Sequence, residues 1–445
     1  MSPYMLSVED SAAVRITLSD YDITENGFLP SQEPLSALSN SYYSQWEAIA
    51  SNIPGLIRSG QIRAEVKQLP VLSTAKLHDE TEWRRAYVVL AFIAHAYIWG
   101  GDKPEEILPP SVAIPFTKVS KHLELPPVAT YAALCLWNYQ SLDKPIDFMS
   151  SETLCMVNSL TGTEDEAWFY LISVMVEGQG ARAIPLMLNA MQAASQQDYQ
   201  FVIESLLELR DVIKNLGRLL ERMYERCQPS VFYHEIRPML AGSKNMAVAG
   251  LPRGVYYDSG NGQGEWMQLR GGSNAQSSLI QFFDAVLGVE HESTGEASPR
   301  AANTTISFHE EMRAYMPGSH RRFLEKITEV ANIRPFAFAA SSHPMQAQLL
   351  GSFQAAVQAL SEFRAVHMQI VARYIIIPSR QAAVPGRLNL AVGSQAGQLN
   401  GKTLTGTGGT DLVPFLKKTR EETDRAGQGR LVDPFEANRV ASERM

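Results

Sequence analysis

Residues 349–374 carry an apolar stripe with the spacing of an α-helix, and a histidine lies within that stripe. The positions recur at alternating steps of three and four, which places their side chains on one helical face. They are Leu349, Phe353, Ala356, Leu360, Phe363, His367, Ile370 and Tyr374. We therefore predict a long helix with this face buried. Because a buried neutral imidazole must satisfy both ring nitrogens, His367 is either a core histidine bonded to a backbone carbonyl or a metal ligand.

The composition indicates the class of protein. Hydrophobic residues make up 45% of the 445 residues and charged residues 19%, which is typical of a soluble globular protein with a sizeable core. The net charge of -8 offers no basic surface to nucleic acid or to an anionic membrane. We therefore expect a small-molecule ligand and no nucleic-acid or membrane partner. We also expect a monomer, since no feature demands an oligomer.

The cysteines and the N-terminus favour a reducing compartment. Cys135, Cys155 and Cys227 have no CxxC spacing, so neither a disulfide framework nor a zinc knuckle is predicted. The first residues lack a basic segment followed by an apolar one, so we expect no signal peptide. The longest dense apolar run, residues 87–99, is too short to cross a bilayer and predicts a buried helix. We expect a cytoplasmic protein.

The distribution of proline and of helical patterns predicts a mainly α protein with two domains. Residues 1–160 mix short helical patterns with proline-marked turns, which predicts a small, turn-rich N-terminal domain. Residues 161–445 predict a large helical bundle that contains the histidine helix. Thr163 and Glu166 form a capping-box pair at the first helix of this bundle.

Further helices and two polar stretches complete the predicted bundle. Helical spacing of apolar residues extends over 199–223 and over 277–288, where Gly288 would end the helix. Residues 290–304 and 378–411 are polar and predict mobile surface loops. The second loop is either a lid over a site or a disordered segment.

The histidines lack the spacing of common metal sites. No HExxH motif, HxxxH pair or carboxylate cluster accompanies them, which argues against zinc and non-haem iron. His320 follows a turn at the start of a helix and is interpreted as a capping or packing residue. A metal bound by His367 alone points to haem iron. The glycine-rich segments 271–273 and 406–409 lack a phosphate-loop lysine and predict close backbone approach to a ligand.

Several motifs, in order along the chain, resemble those of the indoleamine 2,3-dioxygenase family. Residues 364–375, which contain His367, resemble the proximal haem helix of that family. The other motifs are Leu123-Glu124-Leu125-Pro126-Pro127 followed by Tyr131, Gly271-Gly272-Ser273 with Gln276-Ser277-Ser278, Met316-Pro317 with His320-Arg321, and Gly406-Thr407-Gly408-Gly409-Thr410-Asp411-Leu412. The resemblance covers about residues 40–420 and makes haem ligation the expected role of His367.

The resemblance implies a haem b cofactor, with dioxygen as co-substrate. His367 would ligate the iron, and Arg364, one turn earlier, would meet a haem propionate. Asp284 and Glu177 match acidic positions that lie near that propionate in the family. The residues expected at the cofactor are therefore His367, Arg364, Asp284, Glu177, Gly272 and Ser273.

The resemblance also implies a pocket for an indole and for its carboxylate. Ser173 aligns with the distal serine of the family, Phe232 with an aromatic residue that faces the substrate, and Arg237 with an arginine that pairs with the substrate carboxylate. These three are the expected catalytic residues. The residues expected to contact the substrate are Tyr131, Phe169, Phe232, Tyr233, Arg237, Ser273, Asn274 and Thr407.

Three positions depart from the vertebrate members of the family. Tyr233 stands where those enzymes have phenylalanine, Asn274 where they have alanine, and Leu134 where they have cysteine. Each is expected to line or border the pocket. Tyr233 adds a hydroxyl that needs a partner if it is buried, and Asn274 adds bulk and an amide. We expect these changes to affect affinity, stereoselectivity or the ring substituents that are tolerated.

The activity that the resemblance implies is cleavage of the indole 2,3-double bond of L-tryptophan to N-formylkynurenine. This reaction begins the kynurenine pathway and, in microbes, NAD synthesis. The alternatives are a member with an altered indole substrate, a haem protein that binds oxygen with little turnover, and a helical interaction protein without haem. Arg237 and the 406–409 motif argue against an oxygen carrier, and the histidine in the apolar face argues against the last class.

Overall fold

The computed structural model describes residues 16–292, 307–380 and 412–428, and within these ranges the chain is mainly helical, as predicted. The first helices are α1 (Ser44–Ser51), α2 (Ile53–Arg58), α3 (Ile62–Gln68), α4 (Glu80–Trp99), α5 (Pro110–His122), α6 (Glu164–Gly180), α7 (Ala183–Ser195) and α8 (Tyr199–Glu221). The later helices are α9 (Met223–Arg226), α10 (Pro229–Val231), α11 (Arg237–Met239), α12 (Ser278–Leu287), α13 (Phe308–Arg313), α14 (Gly318–Val330), α15 (Ile333–Ala337), α16 (Gln346–Val371), α17 (Ile377–Ser379) and α18 (Leu412–Gly427).

The strands are short and form two small sheets. They are β1 (Ile107–Leu108), β2 (Tyr139–Ser141), β3 (Leu154–Met156), β4 (Val255–Gly260) and β5 (Gln263–Met267). In the first sheet β4 is central, with β1 parallel to it and β5 antiparallel in a hairpin. In the second sheet β2 and β3 pair antiparallel, with Gln140 opposite Cys155.

Helix α16 is the predicted histidine helix. It packs mainly along α8, and a π-turn over Ala372–Ile376 continues it. The first half of its apolar face is fully buried, at Leu349, Phe353, Ala356 and Leu360. The second half, at Phe363 and His367, is half-buried. The predicted face is confirmed, and its second half lines a cavity.

Two other predicted helices are confirmed, and the structure shows what fixes the start of one and the end of the other. Asp79 caps the start of helix α4, because its carboxylate accepts from the backbone N–H of Glu82. Every residue of this helix from Ala86 to Trp99 is buried. Helix α12 ends at Gly288, which adopts a left-handed conformation with φ of 62°. Glycine adopts that conformation without strain because it has no Cβ.

Buried apolar residues on both sides of residue 160 belong to one continuous cluster, which extends from Ile23 to Ala426. The division into domains 1–160 and 161–445 stays a prediction. Most of the predicted loops 290–304 and 378–411 lies outside the described residues. None of the helices in the described ranges combines the length and apolar character needed to cross a bilayer.

One buried carboxylate holds the turn before α6. Glu166 accepts hydrogen bonds from the backbone N–H groups of Leu160 and Thr161, at 2.9 and 2.7 Å, and from the hydroxyls of Ser159 and Thr161. Thr163 caps the helix as predicted and accepts from the Glu166 N–H at 3.2 Å. The second capping-box hydrogen bond, from the backbone N–H of Thr163 to the Glu166 side chain, was predicted wrongly, because Glu166 bonds to the preceding turn instead.

We expect Glu166→Ala to lower the free energy of unfolding by about 3 kcal/mol or more, because two backbone N–H groups lose a buried acceptor. Glu166→Gln keeps one acceptor oxygen and should lose less. The control is Glu164→Ala in the same helical turn, where the side chain is exposed and the loss should stay below about 0.5 kcal/mol. Urea denaturation measures all three variants. Equal losses for Glu166→Ala and Glu164→Ala would contradict this account.

Candidate functional site

A cavity lies between helices α6, α12, α16 and α18. Its volume is about 240 Å³. Aliphatic and aromatic side chains form most of its wall, and each of the four helices contributes, with Phe169, Ile172, Ile280, Ile370 and Phe415 among them. A mostly apolar cavity with a few polar groups is suited to an apolar ligand that carries some polar substituents.

His367 lines this cavity from α16. The side chain lies well below the outer surface of the protein. It is only half-buried because it faces the cavity. Burial and then the charge of Arg364 lower the pKa of His367 to about 4, so the imidazole is neutral at pH 7. Within the described part of the chain, neither ring nitrogen has a hydrogen-bond partner. The ring therefore presents a neutral nitrogen donor to the cavity.

Two other buried histidines show the contrast. In His95 one ring nitrogen contacts the carbonyl of Met239 at 2.8 Å, and the other accepts from the backbone N–H of Ala129 at 3.0 Å. Both nitrogens of this core histidine are satisfied. His320 packs edge-on against Phe28, with ring centroids 4.9 Å apart, as expected of a packing residue, and it does not line the cavity. His367 differs from both in its access to the cavity.

Arg364 and Asp284 form a buried ion pair in the cavity wall. The Arg364 guanidinium, one turn before His367, donates to both Asp284 oxygens at 2.7 and 2.8 Å. It also donates to the Thr423 hydroxyl. Burial alone would raise the pKa of Asp284, but Arg364 and His291 together hold it well below its usual range. Helices α12, α16 and α18 thus meet at one guanidinium.

Glu177 belongs to a separate buried network. One carboxylate oxygen accepts from the hydroxyls of Ser277 and Tyr131, at 2.6 and 3.1 Å, and the other has no partner among the described residues. The Ser173 hydroxyl lies near both Tyr131 and Cys135. Burial raises the pKa of Glu177 to about 7, although Ser277 and Tyr131 partly offset this effect. Tyr131, Ser173 and Ser277 line the cavity, whereas Glu177 lies behind them.

Three π-turns in the described residues border the cavity, over Ala132–Leu136, Phe232–Ile236 and Ala372–Ile376. In the second, the N–H of Arg237 bonds to the carbonyl of Phe232, five residues earlier. This wide turn stacks residues that an α-helix would place on neighbouring faces. Phe232 and Arg237 consequently both line the cavity.

Tyr233, Leu134 and Asn274, the three positions singled out in the sequence, lie near Arg237 and Gly272. The Arg237 guanidinium is buried and rests over the ring of Tyr233 at 5.5 Å, and burial lowers its pKa. Tyr233 is fully buried and does not line the cavity. A Cβ on Gly272 would lie 2.4 Å from Leu134 Cδ1, so Leu134 packs directly behind this glycine. Asn274 itself lines the cavity.

The sequence model of the indoleamine 2,3-dioxygenases matches residues 17–426. The chain belongs to the indoleamine 2,3-dioxygenase family. It is 41% identical over 425 residues to an indoleamine 2,3-dioxygenase of Aspergillus nanangensis, covering 93% of this chain and 98% of the relative. Identity is 38% to a 6-hydroxytryptophan 2,3-dioxygenase of Fusarium equiseti (89% and 94% covered) and 37% to an indoleamine 2,3-dioxygenase of Saccharomyces cerevisiae (89% and 90%).

Family membership confirms the resemblance read from the motifs and identifies the chain as an oxidoreductase of the dioxygenase type that acts on indoles. The structure brings most of the predicted site residues of this family member to one cavity. They are Tyr131, Phe169, Ser173, Phe232, Arg237, Gly272, Ser273, Asn274, Asp284, Arg364 and His367.

Two described site residues that were predicted, Tyr233 and Glu177, are not at the cavity wall. Tyr233 was expected to face the substrate and instead packs behind Arg237. Glu177 was expected beside Asp284 near a propionate and instead hydrogen-bonds Tyr131 and Ser277. Thr407 lies outside the described residues.

The sequence analysis missed a set of polar residues beside the Arg364–Asp284 pair. These are His291, His309 and Glu422. His291 lies at the start of the predicted loop 290–304, His309 follows that loop, and Glu422 lies in a charged helix, so no periodic apolar pattern singled them out. Helix α18 also contributes wall residues, including Leu412 and Phe415.

We expect Glu177→Gln to remove a pH-dependent loss of stability. The folded-state pKa of Glu177 is raised from 4.5 to about 7, so its stabilising contribution is complete below pH 4.5 and lost as pH rises through 7. Between pH 5 and pH 8 the variant should gain roughly 2 kcal/mol of unfolding free energy relative to the natural protein. Denaturant titrations at both pH values measure this difference. Glu329→Gln, at an exposed position, is the control, and an equal pH response in all three proteins would refute the assignment.

Proposed function

We propose that this chain is a haem-dependent dioxygenase that cleaves the indole 2,3-double bond of L-tryptophan. Dioxygen is the co-substrate, and N-formylkynurenine is the product. The observation that carries the proposal is the neutral, unpartnered imidazole of His367 in an apolar cavity that also contains the Arg237 guanidinium. The proposed reaction is the first step of the kynurenine pathway, which in microbes leads to NAD.

The residues at the cavity fit haem in three respects. His367 offers a neutral nitrogen of the kind that serves as an axial ligand to haem iron. The apolar walls suit a porphyrin. Arg364 faces the cavity, and its five N–H donors exceed those used by Asp284 and Thr423, so a propionate can share this guanidinium. Gly272 and Ser273 complete the proposed cofactor-binding set.

The remaining wall residues fit an indole amino acid. Phe169 and Phe232 form an edge-to-face pair with ring centroids 5.0 Å apart, which provides an apolar aromatic wall for an indole ring. Arg237 offers a buried cation for the substrate carboxylate. Because Phe232 and Arg237 project from one π-turn, the ring and the carboxylate of a single ligand can be held by one short segment.

When bound, haem supplies the oxygen activation that no side chain provides. The residues of the chain hold the indole in place, orient its 2,3-bond and exclude water. Ser173 lines the cavity close to Tyr131 and Cys135, where its hydroxyl can contact the bound substrate. Burial, and then the nearby charge of His291, lower the pKa of His309 well below its usual range, so this imidazole is neutral. The proposed reaction requires no base from the protein.

A second candidate is the same reaction on a ring-hydroxylated tryptophan. The relative from Fusarium equiseti, 38% identical, is a 6-hydroxytryptophan 2,3-dioxygenase. Asn274 lines the cavity with an amide that can donate and accept hydrogen bonds. An amide at the wall fits a hydroxyl substituent better than an alanine does.

The test of the proposed function is an absorption spectrum of the haem-reconstituted, reduced protein in air, followed by product analysis with L-tryptophan and with 6-hydroxytryptophan. A Soret band and N-formylkynurenine from L-tryptophan are expected. Product from the hydroxylated substrate alone would establish the second candidate. A stable oxygen complex without product from either substrate would refute both and favour an oxygen-binding protein.

His367→Ala should abolish haem retention, because the axial nitrogen is lost. The expected result is loss of the Soret band and of stoichiometric iron after gel filtration. His343→Ala is the matched control, since His343 is exposed and lies in the segment that leads into α16. Undiminished haem content in His367→Ala would disprove the ligand assignment.

Arg237→Leu should raise the KM for L-tryptophan far more than the KM for tryptamine, which lacks the carboxylate. Loss of a charge-assisted hydrogen bond costs about 1.5–3 kcal/mol, or roughly a ten- to hundredfold rise in KM. Arg226→Leu provides the control, because Arg226 is partly exposed and contacts Trp168. Equal effects of Arg237→Leu on the two substrates would contradict the pairing.

A further inference from the structure

His291 bridges two carboxylates from different helices beside the cavity. Its Nε2 lies 3.2 Å from an Asp284 oxygen of α12, and its Nδ1 lies 2.7 Å from a Glu422 oxygen of α18. The side chains of all three residues are less than 10% exposed, at 9% for His291, 6% for Asp284 and 2% for Glu422. A neutral imidazole donates from one nitrogen only, whereas the imidazolium donates from both. The bridge is complete only when His291 is protonated.

The charged and titratable groups around His291 come from every element packed against it. Arg364 of α16 binds Asp284, and the ring of His309 in α13 stacks on His291 with centroids 3.6 Å apart. Helix α18 adds Lys418 and Arg425, which lie 3.8 and 3.9 Å from Glu422. The exposed carboxylate of Glu292 pairs with these same two cations. Within the buried cluster, a protonated His291 and Arg364 balance Asp284 and Glu422.

Helix α18 meets both the cavity and this cluster. Its apolar side chains Leu412, Phe415 and Leu416 form part of the cavity wall. Nearly two turns beyond Leu416, Glu422 contacts His291 and Thr423 contacts Arg364. The polar contacts therefore fix the position of a helix that closes one side of the cavity.

We propose that protonated His291 is a positioning residue that fastens α18 against the cavity through Glu422 and Asp284, and that loss of its proton loosens this wall. Without the proton, one of the two carboxylates faces a nitrogen lone pair in a buried site. The inference goes beyond the proposed function, because it concerns the closure of the cavity whatever ligand the cavity holds.

The direction of the pH response follows from the surroundings of His291. Burial lowers the pKa of His291, but the carboxylates of Asp284 and Glu422 raise it by a larger amount. The folded-state pKa therefore lies above 6.5. A raised histidine pKa contributes stability that is complete below the unfolded-state pKa of about 6.5. That contribution is lost as pH rises through the higher folded-state value. We therefore expect α18 to be firmly held in mild acid and looser in alkali.

Hydrogen–deuterium exchange of residues 412–428 in the full-length protein, with its cofactor bound, tests this inference. Protection factors are compared from pH 6 to pH 9 after correction for intrinsic exchange rates. In the natural protein, local opening of α18 should increase by roughly ten- to hundredfold over this range, the effect of losing a hydrogen bond to a charged group. In His291→Gln, opening should already be high at pH 6 and should not change with pH.

Two further variants make the result specific. Glu422→Gln removes one carboxylate, so a neutral His291 can donate its one hydrogen bond to Asp284, and the pH response should flatten. This variant tests the inference even if His291→Gln fails to fold. His122→Gln is the matched control, because His122 contacts Glu80 at 2.9 Å in an exposed pair away from the cavity, and it should respond to pH as the natural protein does.

Protection of α18 that is constant with pH in the natural protein would overturn the inference. An unchanged pH response in both His291→Gln and Glu422→Gln would also overturn it. These outcomes are independent of turnover, since exchange is measured without substrate. A pH-dependent α18 in a protein that forms no product would support the inference while refuting the proposed function.

Discussion

The buried ion pair between Arg364 and Asp284 is the contact around which the cavity is organised. It joins α16 to α12, and the same guanidinium reaches α18 through Thr423. Removing one partner of such a pair leaves an unpaired buried charge and typically costs about 3–5 kcal/mol, whereas replacing both with apolar side chains is often neutral. Stability alone therefore does not require the pair. Its effect is to hold a cation at a fixed place in a mostly apolar wall.

Access to the cavity, rather than titration, distinguishes the candidate ligand from the structural histidines. Burial comes first among the causes that lower the pKa of His95, His320 and His367, to about 4, 3 and 4 respectively, so all three are neutral at pH 7. Both ring nitrogens of His95 bond to backbone groups, and His320 is enclosed by packing. Only the third of these rings faces a cavity large enough for a ligand. A lowered pKa identifies burial, and a neutral ring nitrogen that faces the cavity identifies the site.

The sequence predicts those features that leave a regular spacing. Apolar residues at steps of three and four predicted α16, and a glycine after such a pattern predicted the end of α12. Motif resemblance predicted the residues that meet at the cavity, because the family shares them. It did not reveal that Tyr233 lies behind Arg237, since neither motif nor spacing reveals a π-turn, and a turn of this kind rotates every following side chain. The His291–Glu422 contact was also missed, because residues 131 positions apart carry no mutual signal in one sequence.

The π-turns beside the cavity also bear on how this site can change. Each one accommodates an extra residue in a helix, and each is closed by a backbone bond that spans five residues. Deleting one residue from such a turn restores an ordinary helical turn and rotates the adjoining side chains by about 100°, the angle between successive residues of an α-helix. Phe232 and Arg237 stand at the two ends of one of these turns. A single codon gained or lost there re-aims an aromatic ring relative to a guanidinium, a change of ligand geometry that no point substitution in the wall achieves.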